Sequence, residues 1–412
     1  MNYRFQKFTS LYGAFVRQFL TNNPGNETLS YQQLYDNLAR TCYGWSNFFE
    51  KHMADLGNAA EDLFASCEPL QKAWAREHGV AYGADSWLAD IVLAQVRAFQ
   101  PDVLFLQDLY LFDAKFRKRL RESLNKRVLM IGWRFAVTTD YSDLKDLDVL
   151  VTGNKYFVDT FRNQGVHAEL MSLAFEAAIL DRIKLPTEKH LGFTFVGNVG
   201  SPDGPHSERY AMVDALMKST PMEIWGESQE PPPRSARGRL QAKMIYQGNR
   251  LLNAVGVSDD RRARLPALGQ GAGWTIDPTL PSIQRRYPGR TNGQVFGLDY
   301  FDVLARSKIC FNCHIDVAGN SAGNMRLFEA TGVGSCLLTD WKSNLSDFFE
   351  SDREVVVYRS VEECIEKAGY LLEHEAERSQ IARAGQKRTL RDHTYAQRVA
   401  RLDEIIREAL AR

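Results

Sequence analysis

Arg326 and Glu329 stand three residues apart in the stretch Asn324 to Asp340, N-M-R-L-F-E-A-T-G-V-G-S-C-L-L-T-D. Residues at that spacing share one face of a helix. A cation and a carboxylate near a helix N-terminus suit a phosphate beside a sugar diol. The guanidinium and the positive end of the helix attract the phosphate, and the carboxylate accepts from the hydroxyls. The same two residues also suit a surface ion pair worth about 0.2–0.5 kcal/mol. Asn324 has the chemistry of an N-cap. Gly332 and Gly334 can end the helix and supply a positive-φ turn. Cys336-Leu337-Leu338 then reads as a strand buried on both faces.

Other residues carry possible chemistry. Gly197-Asn198-Val199-Gly200-Ser201 follows an apolar strand and precedes a helix. Glycines there let backbone amides approach a phosphate closely, and His206 and Arg209 at the start of the helix can add positive charge. A tight strand-to-helix turn reads the same way. Neither the G-x-G-x-x-G dinucleotide fingerprint nor the P-loop signature is present. Cys310-Phe-Asn-Cys313-His314 matches the string for c-type haem attachment, but it lies in an apolar strand run, where cysteines serve as small hydrophobes. His314 sits where that strand should end and can donate to a sugar hydroxyl or a phosphate, or be a satisfied structural histidine. Asp108 closes the apolar run Val103–Leu106 and suits a general base for an acceptor hydroxyl, or the N-cap of the next helix. No paired Asp motif stands out as a metal site.

These residues must be held by a large α/β fold. The chain has 412 residues, 44% hydrophobic and 25% charged, with zero formal net charge. That length allows two or three domains, and the charge balance gives no overall field for nucleic acid. Strands read at Val103–Leu106, Val128–Ile131, Val149–Thr152 and His167–Leu173, with helices between. After a charged linker, a second series runs through Phe193–Val196, Met222–Trp225, Lys308–Ile315, Cys336–Leu338 and Glu354–Tyr358. This alternation means parallel βαβ units in two doubly wound, Rossmann-like halves. Ligands of such sheets bind beyond the carboxyl ends of the strands. Pro231-Pro232-Pro233 marks a loop, Leu240–Leu252 a helix, and residues 266–292 an irregular excursion. Residues 361–410 read as nearly continuous helix, broken near Gly385 and His393. The basic stretch Lys115–Arg127 keeps Phe116, Leu120 and Leu124 on one stripe, which suits either an anionic membrane or acidic glycan, or ordinary packing. No export signal or membrane-length apolar run is visible. A cytoplasmic chain with reduced cysteines is therefore expected, possible contact with the inner membrane face included.

Several of these stretches together resemble the CgeB-like (spore-maturation-protein-like) glycosyltransferases. They are Asn312-Cys-His-Ile, Asn324-Met-Arg-Leu-Phe-Glu-Ala, Leu338-Thr-Asp340, Asp347-Phe-Phe, Glu354-Val-Val-Val-Tyr358, Gly385-Gln-Lys-Arg and His393-Thr-Tyr395. The resemblance covers the C-terminal third well and the second half loosely. It implies the GT-B architecture, with two Rossmann-like domains facing across a cleft: an acceptor domain over residues 1–178, a linker over 179–190, a nucleotide-sugar donor domain over 191–390, and a last helix over 391–412 that packs back on the first domain.

By the same resemblance, Glu329 accepts from the nucleotide ribose. Arg326 and the amides of Asn324 and Met325 face the diphosphate, with Gly197, Asn198 and Gly200 opposite, and Trp225 and Gly226 lie near the base. The related retaining enzymes often carry a second glutamate two helical turns before the ribose one, and Ser321 stands there in this chain. The implied activity is transfer of a hexose-type sugar from a nucleotide-diphosphate sugar to a hydroxyl on a glycan, lipid or protein, with no metal and no further cofactor. Rival readings on the same fold are a nucleotide-sugar epimerase or phosphorylase, and a non-catalytic sugar-binding protein.

Overall fold

Strands and helices alternate along a chain whose strands all pair in parallel within two six-stranded sheets. In this computed structural model every residue is described except 1, 137, 139, 203–205, 229–233, 275 and 315–318, and the side chain of residue 27. The chain divides into two compact units. Unit 1 comprises Met1–Ile183, Phe296–Leu298 and Thr389–Arg412, and unit 2 comprises Lys184–Val295 and Asp299–Arg388.

The sheet of unit 1 is built from β1 (Arg4–Thr9), β2 (Ala59–Phe64), β3 (Val103–Leu106), β4 (Leu129–Trp133), β5 (Val149–Thr152) and β6 (Ala168–Leu170), in the order β2-β1-β3-β4-β5-β6. Helices cover both faces, so β3, β4 and β5 are buried at every position. That is why they appear in sequence as unbroken apolar runs. The last helix, Tyr395–Leu410, starts with a capping box between Thr394 and Gln397. It buries Val399, Leu402, Ile405 and Ile406 in unit 1, and its Asp403 accepts from the Tyr3 hydroxyl at 2.6 Å.

The sheet of unit 2 uses β7 (Leu191–Val196), β8 (Glu223–Trp225), β9 (Thr291–Asn292), β10 (Ser307–Asn312), β11 (Cys336–Asp340) and β12 (Val356–Tyr358), in the order β12-β11-β10-β7-β8-β9. The sheet starts at β7, crosses out to β9, then returns to the other side of β7 with β10. This is the strand order of dinucleotide-binding sheets, and the direction reverses between β7 and β10. Phe193, Phe195, Ile224, Ile309, Phe311 and Leu338 form the centre of its core. Burying each such side chain contributes about 1.5–3 kcal/mol.

Some expectations need correction. Gly385 does not break the C-terminal helices, because it lies inside Glu375–Asp392. A Cβ there would meet the Glu354 carbonyl oxygen at 2.3 Å, so the glycine serves close packing. The break falls at His374 instead, and a second at His393. Residues 266–292 are not wholly irregular, since they hold a short helix at Ile283–Arg286 and end in β9. The basic helix, Ala114–Glu122, offers no apolar face to a membrane. Phe116 and Leu120 are buried in the core, and Arg117 is fully buried on Asp146 at 2.8 Å. All six cysteines are thiols. The Pro231–Pro233 loop and the Ile315 end of the predicted strand lie outside the described residues.

Candidate functional site

The carboxyl ends of β7 and β10, where the strand order of unit 2 reverses, bring together most of the residues singled out by sequence. Two glycines allow the convergence. Gly197, just past β7, has φ 142°, and a Cβ on it would meet the Arg326 guanidinium at 2.5 Å. Gly226, just past β8, would carry a Cβ 2.0 Å from the Gly197 carbonyl oxygen. Both positions are therefore glycine because backbone and guanidinium pass where a side chain would be.

The loop after β7 is not an open cradle of amides. Gly197 N–H donates to the Trp225 carbonyl at 2.9 Å and Val199 N–H to the Glu227 carbonyl at 3.1 Å. Gly200, with φ 88°, donates to Asn198 Oδ1 at 2.8 Å. This is the tight-turn reading of the motif. Arg209 is buried and ties the turn to the end of β10, donating to the carbonyls of Asn198 at 3.2 Å and Cys313 at 3.4 Å. His206 precedes the helix Ser207–Ser219. Burial, with the Arg209 cation second, holds its imidazole below the usual value, so it does not add the positive charge expected of it.

The helix expected at Asn324 forms as Met325–Gly332, with Asn324 at the N-cap position and Gly334 in the left-handed turn beyond. Asn324 does not cap with its side chain. Its amide group pairs with that of Asn312 on β10, donating at 2.7 Å and accepting at 3.2 Å. The first amides of the helix, Met325 and Arg326, have no partner within the helix and none from the cap, and both residues are half-buried.

Arg326 lies 4.9 Å over the Phe195 ring. It donates to the Val196 carbonyl and, at 3.4 Å, to Asn312 Oδ1. Its Nε is buried with no hydrogen-bond partner among the described residues. Glu329 does not form the surface ion pair with Arg326. It is buried and accepts from the Tyr300 hydroxyl at 2.6 Å. Burial raises its carboxyl above the usual range, and the Tyr300 hydrogen bond and the Arg326 charge offset only part of that.

His314 closes β10 as a buried residue with a side chain only 1% exposed. Its Nδ1 meets Asp340 Oδ1 at 2.7 Å, and its Nε2 accepts from the Gly323 amide at 3.4 Å. Those partners assign the ring proton to Nδ1. Burial works against the Asp340 charge, but the His314 hydrogen bonds and the Lys342 cation hold its carboxyl below the usual value. Both ring nitrogens are thus engaged. His314 fixes the turn that feeds the helix N-terminus and does not reach outward as a free donor.

Asp108 belongs to unit 1. Its Oδ1 accepts from the amides of Tyr110 at 3.0 Å and Leu111 at 3.1 Å, and its Oδ2 from the Ser10 hydroxyl at 2.8 Å. It caps the turn after β3, while the next helix takes Asp113 as its N-cap. Among the described residues no group of three or more His, Cys, Asp or Glu side chains is placed to hold a metal ion. Sequence reasoning missed Asn312, Asp340, Lys342 and Tyr300. The strand-end rule that selected His314 also applies to Asp340 at the end of β11. Nothing in the sequence joins Tyr300 to Glu329.

The family model described as "Glycosyl transferase-like" matches residues 247–404. No curated protein sequence matches the chain. Solved structures match along its whole length at low identity. Sucrose-phosphate synthase from Thermosynechococcus elongatus matches with TM-score 0.55 and 9% identity, covering 100% of both chains. HepE from Anabaena, solved with UDP and glucose, matches with TM-score 0.56 and 10% identity, covering 99% of this chain and 100% of that one. AviGT4, a glycosyltransferase of avilamycin A biosynthesis, matches with TM-score 0.55 and 14% identity, covering 99% and 98%. The fold is therefore that of the GT-B glycosyltransferases, and residues 247–404 are similar to the glycosyl transferase-like family.

Proposed function

We propose that the chain is a CgeB-like glycosyltransferase. It would move a hexose-type sugar from a nucleoside-diphosphate sugar to a hydroxyl on a glycan, lipid or protein, without a metal ion. The observation that carries this reading is the helix Met325–Gly332, which has no side-chain cap, at the strand reversal between β7 and β10, with the Arg326 guanidinium beside it. The Met325 and Arg326 amides would donate to the diphosphate. As the bond from sugar to phosphate breaks, negative charge grows on the leaving diphosphate, and a fixed cation and helix amides stabilise it most at that moment.

Glu329 would accept from the ribose hydroxyls. A carboxylate that takes one hydrogen bond from Tyr300 keeps further acceptor capacity. The half-buried Trp225 at the end of β8 would stand near the base. His314 and Asp340 act as positioning residues, holding the Gly323 turn in register with the helix.

HepE has been solved with UDP-glucose, which makes UDP-sugars the first donors to try. The test is a thermal-shift screen of the full chain against UDP-, GDP- and dTDP-sugars, followed by release of the nucleoside diphosphate with and without hydroxyl acceptors, in EDTA. Acceptor-dependent release that EDTA does not suppress is expected. Stabilisation by no nucleotide sugar would sink the donor pocket. Binding without release on any acceptor would favour a non-catalytic sugar-binding protein. An isomerised donor, or release that requires inorganic phosphate, would identify an epimerase or a phosphorylase.

A further inference from the structure

The helix Ala236–Ala254 in unit 2 is anchored by one face only. Ala242, Ile245 and Asn249 are its buried residues, and Asn249 Nδ2 donates to the Leu268 carbonyl at 2.8 Å. The opposite face lies in solvent and carries an apolar row, with the exposed Gln247 between Met244 and Leu251. Leu240 is 61% exposed, Met244 65% and Leu251 70%, and Val255, just beyond the helix, 76%. With about 100° between successive residues, Leu240, Met244 and Leu251 fall within about 40° of one another. A cation immediately precedes each: Arg239, Lys243 and Arg250, all exposed. These form a second row parallel to the first, and Arg237 lies in line with the apolar row. The 19 residues of the helix contain no aspartate or glutamate.

We propose that this face docks on an anionic lipid surface, with the apolar row in the interface and the cationic row on the headgroups. A helix with a polar, basic flank beside an exposed apolar stripe lies flat in a membrane interface and gains from both burial and charge. The charge pattern selects this occupant over a second copy of the chain. Four cations with no acid would face four like cations across a self-association interface, which opposes pairing. The other basic helix, Ala114–Glu122, lacks this layout. Its Phe116 and Leu120 are buried and its Arg121 is paired with Asp148 at 2.9 Å. The proposal is independent of the glycosyl-transfer reading, because binding to lipid is measured without turnover.

The test is co-sedimentation of the full chain with vesicles of phosphatidylcholine and phosphatidylglycerol in equal parts, and with vesicles of phosphatidylcholine alone. Binding to the mixed vesicles is expected, falling about tenfold on the neutral ones and weakening in high salt. Leu240→Ser with Leu251→Ser should lower binding to mixed vesicles about tenfold, and Arg239→Glu with Arg250→Glu at least as far. Both pairs lie in solvent, and their melting temperatures should match that of the parent. Lys118→Glu on the other basic helix should leave binding unchanged. Three results would overturn the proposal: no binding to mixed vesicles, equal binding to neutral ones, or the same loss from Lys118→Glu. Concentration-dependent dimerisation abolished by the Leu240→Ser and Leu251→Ser pair would overturn it too, by assigning the face to a second copy.

Discussion

Each unit has a point where its strand order reverses, between β1 and β3 in unit 1 and between β7 and β10 in unit 2, and the two points are built in opposite ways. In unit 1 the protein's own polar side chains close on one another. Ser10 after β1 donates to Asp108 after β3. Two residues before the end of β1, Lys7 is fully buried with Asp62 at 3.5 Å, beside Glu50, which accepts from Tyr35. In unit 2 the corresponding point has glycine at 197 and 226, a helix without a side-chain cap, and an arginine with one nitrogen unpartnered. Where ligands of this fold class bind, unit 1 joins β1 to β3 through Ser10 and Asp108, and unit 2 leaves the first amides of a helix without a side-chain cap. Structure and binding should therefore respond to different substitutions.

The largest expected effect is on the closed side. Lys7→Met leaves the buried Asp62 carboxylate without its cation. Breaking a buried pair in this way costs about 3–5 kcal/mol. Amide hydrogen exchange of β1 to β3 at pH 8 should show that loss, while donor binding by the folded protein stays as it was. Adding Asp62→Leu should recover much of it. Unchanged exchange would mean that Lys7 does not hold this network, and the contrast between the two sheets would collapse.

On the open side, Arg326→Gln gives up the hydrogen bond to the Val196 carbonyl and the contact with Phe195, so it should cost about 1–2 kcal/mol of stability and leave the protein folded. It should lower turnover about 100- to 1000-fold, the usual cost of removing one fixed donor to a developing anion. A loss of stability with normal turnover would make Arg326 a packing residue against Phe195 and Val196.

How far the sequence carries such arguments depends on separation along the chain. The strands of both sheets were legible because parallel strands covered on both faces must be apolar throughout, as at Val103–Leu106 and Val149–Thr152. The helix at Asn324 was legible from its cap position and its terminal glycine. The reasons behind the motifs were not. Gly197 and Gly200 look alike whether they cradle a phosphate or let Arg326 and His206 pass, and only the hydrogen bonds already made by their amides distinguish the two. Glu329 meets Tyr300, 29 positions away, and His314 meets Asp340, 26 positions away. Neither pairing leaves a periodic trace. The exposed row at Leu240, Met244 and Leu251 likewise reads as an ordinary amphipathic helix until the core is seen to take the other face.

A pH titration sharpens the contrast, because the two sides should move in opposite directions. Burial pushes the Asp62 carboxyl up to about 7, so the folded state holds a proton that the unfolded chain gives up near its ordinary value of 3.8. That contribution is fully present below the unfolded value and is lost as pH rises through about 7. Unit 1 should therefore lose stability from pH 5 to pH 8, and Asp62→Asn should flatten that slope. Burial also raises Glu329, whose ionised form is the stronger acceptor for ribose hydroxyls. Donor affinity should fall as pH drops, beginning at higher pH than for an ordinary glutamate, by about tenfold per unit at most for one proton. Calorimetric Kd values that do not change with pH would remove Glu329 from the donor site.

The smallest effect is expected from Asp108→Asn, and it decides whether the closed side has a chemical role. Asparagine keeps one carbonyl oxygen, which can take the Tyr110 and Leu111 amides now on Oδ1. Its NH2 then faces Ser10, whose hydroxyl can turn from donor to acceptor. All three hydrogen bonds survive, so stability should change by less than about 1 kcal/mol. If Asp108 only caps this turn, turnover should also stay close to that of the parent. A general base contributes about 100- to 10,000-fold, and an amide cannot take a proton in its place. A loss of that size in turnover, with donor affinity intact, would give Asp108 the acceptor's proton and a chemical role beyond capping the turn after β3.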